Sequence, residues 1–131
     1  MSERKILIIE DNALNLELAT VLLEADGFVV ASAQTAEDGL RLARELLPDL
    51  VLMDFGLPGM DGLSATKNLK TNPATSHLAI VGLTANAMKG DQETAFKAGC
   101  DGYLIKPIDT RTFASAVKNF ITSKLSQAKK L

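Results

Sequence analysis

Four apolar residues, Leu50-Val51-Leu52-Met53, run straight into a carboxylate, Asp54. Gly56, Pro58, Gly59 and Gly62 follow and break regular structure. A short unbroken apolar run between turn residues reads as a strand covered on both faces. Strands of that kind belong to parallel sheets flanked by helices. In open parallel sheets, ligands bind outside the carboxyl ends of the strands, and Asp54 stands at such an end. Taken alone, an Asp here is more commonly an ordinary loop carboxylate or the cap of the next helix.

The rest of the chain repeats the same alternation. Lys5 to Ile9 reads as a first strand, closed by the polar Glu10-Asp11-Asn12. From Ala13 to Ala25, Leu14, Leu18, Val21, Leu22 and Ala25 recur at helical spacing, and Gly27 suits the left-handed position after a helix. Phe28 to Ala33 is a second strand. Thr35 then caps a helix with Glu37 and Asp38 in its first turn, and Pro48 ends it. Leu63 to Lys70 reads as a helix and Leu78 to Leu83 as a strand ending in Thr84. Residues 85–90 are ambiguous, because Gly90 weakens any helix begun there. Asp91 to Ala98 is helical by pattern. Gly102 to Ile105 is a last strand with Lys106-Pro107 at its tip. Asp109 is placed as the cap of a final helix through Phe113, Ala116, Val117, Phe120 and Ile121. Five strand–helix alternations call for a parallel five-stranded sheet with helices on both faces. The flavodoxin-like doubly wound (βα)5 arrangement, order 2-1-3-4-5, is the favoured solution, with strands one and three side by side at its switch point.

A length of 131 residues fits one domain. Its expected bounds are 1–122, with 123–131 as a polar, frayed tail. Fourteen basic against sixteen acidic residues leave a net charge of −2, which favours neither nucleic acid nor an anionic membrane. The single Cys100 excludes an internal disulfide and suits a reducing, cytoplasmic setting. The apolar stretch 6–9 is too short for a signal peptide, and no run reaches the ~20 residues of a membrane span.

The strand tips carry the chemistry. Strand one delivers Glu10 and Asp11, strand three Asp54, strand four Thr84 and strand five Lys106. Carboxylates brought this close repel by roughly 4 kcal/mol per pair at ~4 Å and an effective dielectric of ~20. A cation must join them or one must protonate. An all-oxygen rim suits Mg²⁺. Lys106 adds positive charge and Thr84 a hydroxyl, a set matched to phosphoryl transfer, with Asp54 as the nucleophile.

These motifs resemble the receiver domain of two-component response regulators, from about Lys5 to Ile121. The resemblance rests on Glu10-Asp11, Asp54 with Leu57-Pro58 and Met60-Asp61-Gly62, Leu83-Thr84-Ala85, and Ala98-Gly99-Cys100-Asp101-Gly102-Tyr103 leading to Lys106-Pro107. It implies that Asp54 accepts phosphoryl from a histidine kinase or phosphotransfer protein. It implies that Asp11 holds Mg²⁺ directly, Glu10 through water, and Gly56 by its carbonyl. Thr84 would contact the phosphoryl group, Lys106 would bridge it to the acidic groups, and Tyr103 would turn inward as a switch. The Lys106-Pro107 bond would be cis. Glu10 departs from the Asp usual in the family, and Gly56 and Asn86 stand at its two variable positions beside the phosphoryl group.

The expected function is a stand-alone phosphoacceptor, with autophosphorylation and autodephosphorylation as its only chemistry. Its output would be a protein surface at roughly 88–120. Two rivals fit less well. A Mg²⁺-dependent phosphatase would place Asp-x-Asp after strand one, and a flavin protein would place a Ser/Thr/Gly-rich loop there. A receiver cut from a hybrid kinase remains a third reading. His77 reads as exposed and idle, Cys100 as a small buried residue, and Lys129-Lys130 as a solubilising tail.

Overall fold

The computed structural model describes residues 4–55, 62–84, 93 and 96–129, the last six of these as backbone only. The elements run β1 (Lys5–Ile9), α1 (Ala13–Ala25), β2 (Val29–Ala33), α2 (Ala36–Leu46), β3 (Leu50–Asp54), α3 (Gly62–Thr71), β4 (Ala79–Thr84), β5 (Gly102–Ile105) and α4 (Phe113–Lys129). Residues 96–98 are also helical. The five strands form one parallel sheet in the order β2-β1-β3-β4-β5, as expected. Gly56, Leu57-Pro58, Gly59, Met60-Asp61, Ala85, Asn86 and Gly90 lie outside the described residues, as do 88–92 and 94–95 of the expected output surface and Lys130.

Alternation along the strands divides the core into two layers. Leu7 and Ile9 of β1, with Val51 and Met53 of β3, pack beneath Ala36, Leu40 and Ala43 of α2 and Ala65 and Leu69 of α3. Ile6, Ile8, Leu50 and Leu52 point to the other face, against Ala19 and Leu23 of α1 and Phe113, Val117 and Ile121 of α4. All five residues of β3 are buried, which accounts for its unbroken apolar run.

The register brings the strand ends level. Ile9 pairs with Met53, Asp54 with Leu83, and Thr84 with Ile105. The caps follow the sequence. The Asn12 side chain accepts the Asn15 N–H at 3.0 Å, and the Thr35 hydroxyl accepts the Asp38 N–H at 3.2 Å. Gly27 takes φ +93°, a left-handed conformation that side chains resist.

Three local readings change. The helical spacing through Leu14, Leu18 and Val21 does not mark the buried face of α1. Those residues are 76, 39 and 57% exposed, while Ala19 and Leu23 are buried. α1 is apolar on two sides, so periodicity alone does not choose between them, and packing on the sheet does. Asp109 does not cap the last helix directly. Its carboxylate accepts the Arg111 N–H at 2.9 Å in a side-chain turn, and its carbonyl accepts the N–H groups of Thr112 and Phe113. The α-helix starts only at Phe113, and it runs on past residue 122 to Lys129.

Candidate functional site

Four strand ends converge on one rim. Glu10 follows β1 directly and its N–H donates to the Ala33 carbonyl of β2 at 3.0 Å, which continues the ladder by one residue. Its side chain is therefore carried into the sheet end, with 1% exposed. Asp11, one residue on, is exposed. Asp54 closes β3 and is 4% exposed. Glu10, Asp11 and Asp54 each bring a carboxylate oxygen to within 4.8 Å of the others.

Lys106 arrives from the far side of the sheet. Its backbone N–H donates to the Thr84 carbonyl at 2.7 Å, so the residue after β5 is tied to the last residue of β4. The Lys106-Pro107 bond is cis. The ammonium lies 2.9 Å from Glu10 Oε1 and 3.1 Å from Asp54 Oδ1, spanning the carboxylates of strands one and three. Thr84 is half-buried and stands one residue beyond Leu83, the register partner of Asp54.

The electrostatics follow from burial. Desolvation, and then the neighbouring Asp54 carboxyl, push the Glu10 carboxyl up to about 7 in spite of Lys106. Burial by itself would lower the Lys106 ammonium, but the Glu10 and Asp54 carboxylates outweigh it and hold the amine above its ordinary value. Among the described residues, neither Glu10 side-chain oxygen receives a hydrogen bond. The short contact to Lys106 is thus a charge contact with poor hydrogen-bond geometry. Buried carboxylate oxygens whose one close cation is Lys106, in a three-carboxylate cluster, fit a hard, oxygen-seeking divalent cation.

Close packing holds β3 in place. A side chain at Gly62 would strike the Asp54 carbonyl and the Phe55 backbone, so only glycine lets α3 start against the end of β3. The Phe55 ring fills the space over Gly82 in β4. Tyr103 is half-buried, and its ring meets Phe96 edge-on, centroids 5.9 Å apart at 76°.

The sequence of residues 6–118 matches the response regulator receiver domain model. The chain belongs to that family. It is 40% identical over 118 residues to the polar-differentiation response regulator DivK of Brucella ovis, covering 90% of this chain and 96% of that protein. A CheY-like receiver domain protein from Methanospirillum hungatei superposes with a TM-score of 0.88 at 25% identity, covering 96% of this chain and 99% of the other. The receiver domain of a Pseudomonas aeruginosa sensor histidine kinase, solved with a magnesium ion coordinated in its active-site cleft, gives 0.84 at 31% identity over 92% of this chain and 99% of that one. As a response regulator receiver domain, the chain is a signalling protein, and kinases or phosphotransfer proteins are the general partners of its class. No helix among the described residues is long and apolar enough to cross a membrane.

Of the residues expected at the receiver site, Glu10, Asp11, Asp54 and Lys106 come together. Thr84 lies beside them through its backbone, and Tyr103 packs on Phe96. Gly56 is outside the described residues. Sequence reasoning gave no site role to Asn15 or Ile108, and to Pro107 only the cis bond that aims Lys106. With Glu10 and Lys106 they line a cleft of about 270 Å³ between α1 and the loop after β5. One helical turn beyond the capping Asn12 puts Asn15 on the site side of α1, and that spacing was the available signal.

Proposed function

We propose that this chain is a phosphoacceptor that takes a phosphoryl group onto Asp54 from a phosphohistidine donor and signals through a changed protein surface. The observation that carries the reading is the three-carboxylate cluster with the Lys106 ammonium at 2.9 and 3.1 Å from two of its members. Asp11 and Asp54 would hold Mg²⁺ directly, Glu10 through water, and Gly56 by its carbonyl. When bound, the ion supplies Lewis-acid neutralisation of charge on the phosphoryl oxygens.

The chain's own groups divide the remaining work. An Asp54 carboxylate oxygen attacks phosphorus in line with the departing nitrogen. Lys106 keeps its proton at neutral pH, because two carboxylates hold it, and it pairs with Asp54 and then with the phosphoryl group. The Thr84 hydroxyl donates to a phosphoryl oxygen. Its movement frees space for Tyr103, which leaves its contact with Phe96. Phe96 and Ile105, 51 and 46% exposed, with Tyr103, lie within the described part, 93 and 96–120, of the proposed output face at 88–120. The exposed Leu14, Leu18 and Val21 of α1 begin beside the same rim and offer the protein donor an apolar landing strip. Phosphorylation and dephosphorylation of Asp54 are the only covalent chemistry in this account.

The test is to incubate the protein with Mg²⁺ and acetyl phosphate and weigh it intact. A gain of one phosphoryl mass, absent in Asp54→Ala and in EDTA, is expected. No gain, or an equal gain in the variant, overturns the assignment.

A further inference from the structure

The cleft beside the acceptor contains one polar group that the scheme above leaves unused. Asn15 sits in the first turn of α1, half-buried, with its backbone N–H held by the Asn12 side chain. Asn15 lines the 270 Å³ cleft together with Pro107, Ile108, Glu10 and Lys106. The carboxamide has no hydrogen-bond partner among the described residues, and Asn15 has no further contact of that kind. A carboxamide offers both a carbonyl acceptor and an N–H donor. The cleft is smaller than those that take drug-sized ligands. It suits a flat ring of a few atoms held between the apolar Pro107 and Ile108 and the polar Asn15, with Glu10 and Lys106 at its acidic-rim end.

We propose that Asn15 recognises the nitrogen-bound donor by accepting a hydrogen bond from the leaving imidazole. This rests on Asp54 being the acceptor. In a phosphoimidazole, phosphorus sits on one ring nitrogen and the other nitrogen carries a proton in the reactive form. Asp54 supplies the electron pair of the new O–P bond. The N–P pair stays on the departing nitrogen, and the ring leaves neutral with its proton still on the far nitrogen. No proton changes hands. The Asn15 carbonyl oxygen holds that N–H, while Pro107 and Ile108 cover the face of the ring. An acyl phosphate leaves as a carboxylate without any N–H, so it makes no use of Asn15. The residue thereby selects phosphohistidine-type donors over acyl phosphates.

The experiment compares initial rates of Asp54 phosphorylation by monophosphoimidazole and by acetyl phosphate, with Mg²⁺, in the full chain. The readout is the ratio of the two rates. Asn15→Leu keeps the size and removes the acceptor, and it should lower the ratio about fivefold, the worth of one neutral hydrogen bond. Asn15→Asp keeps an acceptor and should hold or raise the ratio. Thermal unfolding checks that both variants fold, since the cap uses only the Asn15 backbone. A ratio unchanged in Asn15→Leu, or lowered equally in Asn15→Asp, overturns the inference while leaving the acceptor assignment standing. Wild-type protein labelled by neither donor overturns the acceptor assignment itself.

Discussion

Glu10 is buried beside Asp54, with its carboxyl pushed up to about 7. An unfolded chain ionises the same group near 4.5. Between those values the folded state binds the extra proton, so stability falls as pH rises. The contribution is fully present below about pH 4.5 and lost through about pH 7. We expect urea unfolding in EDTA to show this decline, on the order of a few kcal/mol, and Glu10→Gln to flatten it. A variant with the wild-type slope would contradict the assignment. Gly62 is the second residue whose identity is dictated by its neighbours, since a Cβ would strike the Asp54 carbonyl. Gly62→Ala should lose about 1–3 kcal/mol, the usual range for overpacking, and should also slow labelling of Asp54. An unchanged urea midpoint would show that α3 can shift away freely.

At the scale of elements, α1 has two apolar faces, one buried and one exposed. Ala19 and Leu23 pack on the sheet, and Leu14, Leu18 and Val21 face outward. Replacing Leu14 and Val21 together by Ser should therefore alter stability by no more than about 0.5 kcal/mol per site, as for other exposed positions. Leu23→Ala should lose about 2–5 kcal/mol. The same double Ser variant should slow transfer from a phosphorylated protein donor much more than labelling by acetyl phosphate. Equal slowing with both donors would remove α1 as a docking face. On the opposite edge of the sheet, Lys70 ties elements together. It donates to the Leu78 carbonyl at 2.7 Å and to Asp101 at 3.0 Å, and Asp101 also accepts the Ile80 N–H at 2.8 Å. This anchor holds β4 and the entry to β5 at the end away from the acidic rim.

The whole molecule is a close-packed scaffold carrying an under-neutralised rim. Three carboxylates and one ammonium meet where the strands end, and a divalent ion bound only by the folded state must stabilise it. At a hundred times its dissociation constant, the ion adds about 2.7 kcal/mol. We expect Mg²⁺ to raise the unfolding midpoint at pH 8, and Asp11→Asn with Asp54→Asn to abolish that rise. Because the ion competes with the Glu10 proton, the rise should shrink as pH drops below about 7. A midpoint indifferent to Mg²⁺ in the wild-type chain would mean that the cluster does not hold the ion.

The strand–helix alternation, the buried run into Asp54 and the polar residues at each strand tip specified the sheet, its order and the acidic rim without help from coordinates. They could do so because strand and helix periods and breakers are local rules, and because doubly wound parallel sheets share a general topology that sets strands one and three side by side. Which face of α1 is buried, where α4 begins, the approach of Lys106 to both Glu10 and Asp54, and the placing of Asn15 in a cleft with Pro107 and Ile108 were decided only in three dimensions. The α1 face, the reach of Lys106 and the Asn15 cleft depend on contacts between distant segments, which no single stretch of chain encodes, and the start of α4 depends on the turn that Asp109 makes with Arg111, Thr112 and Phe113.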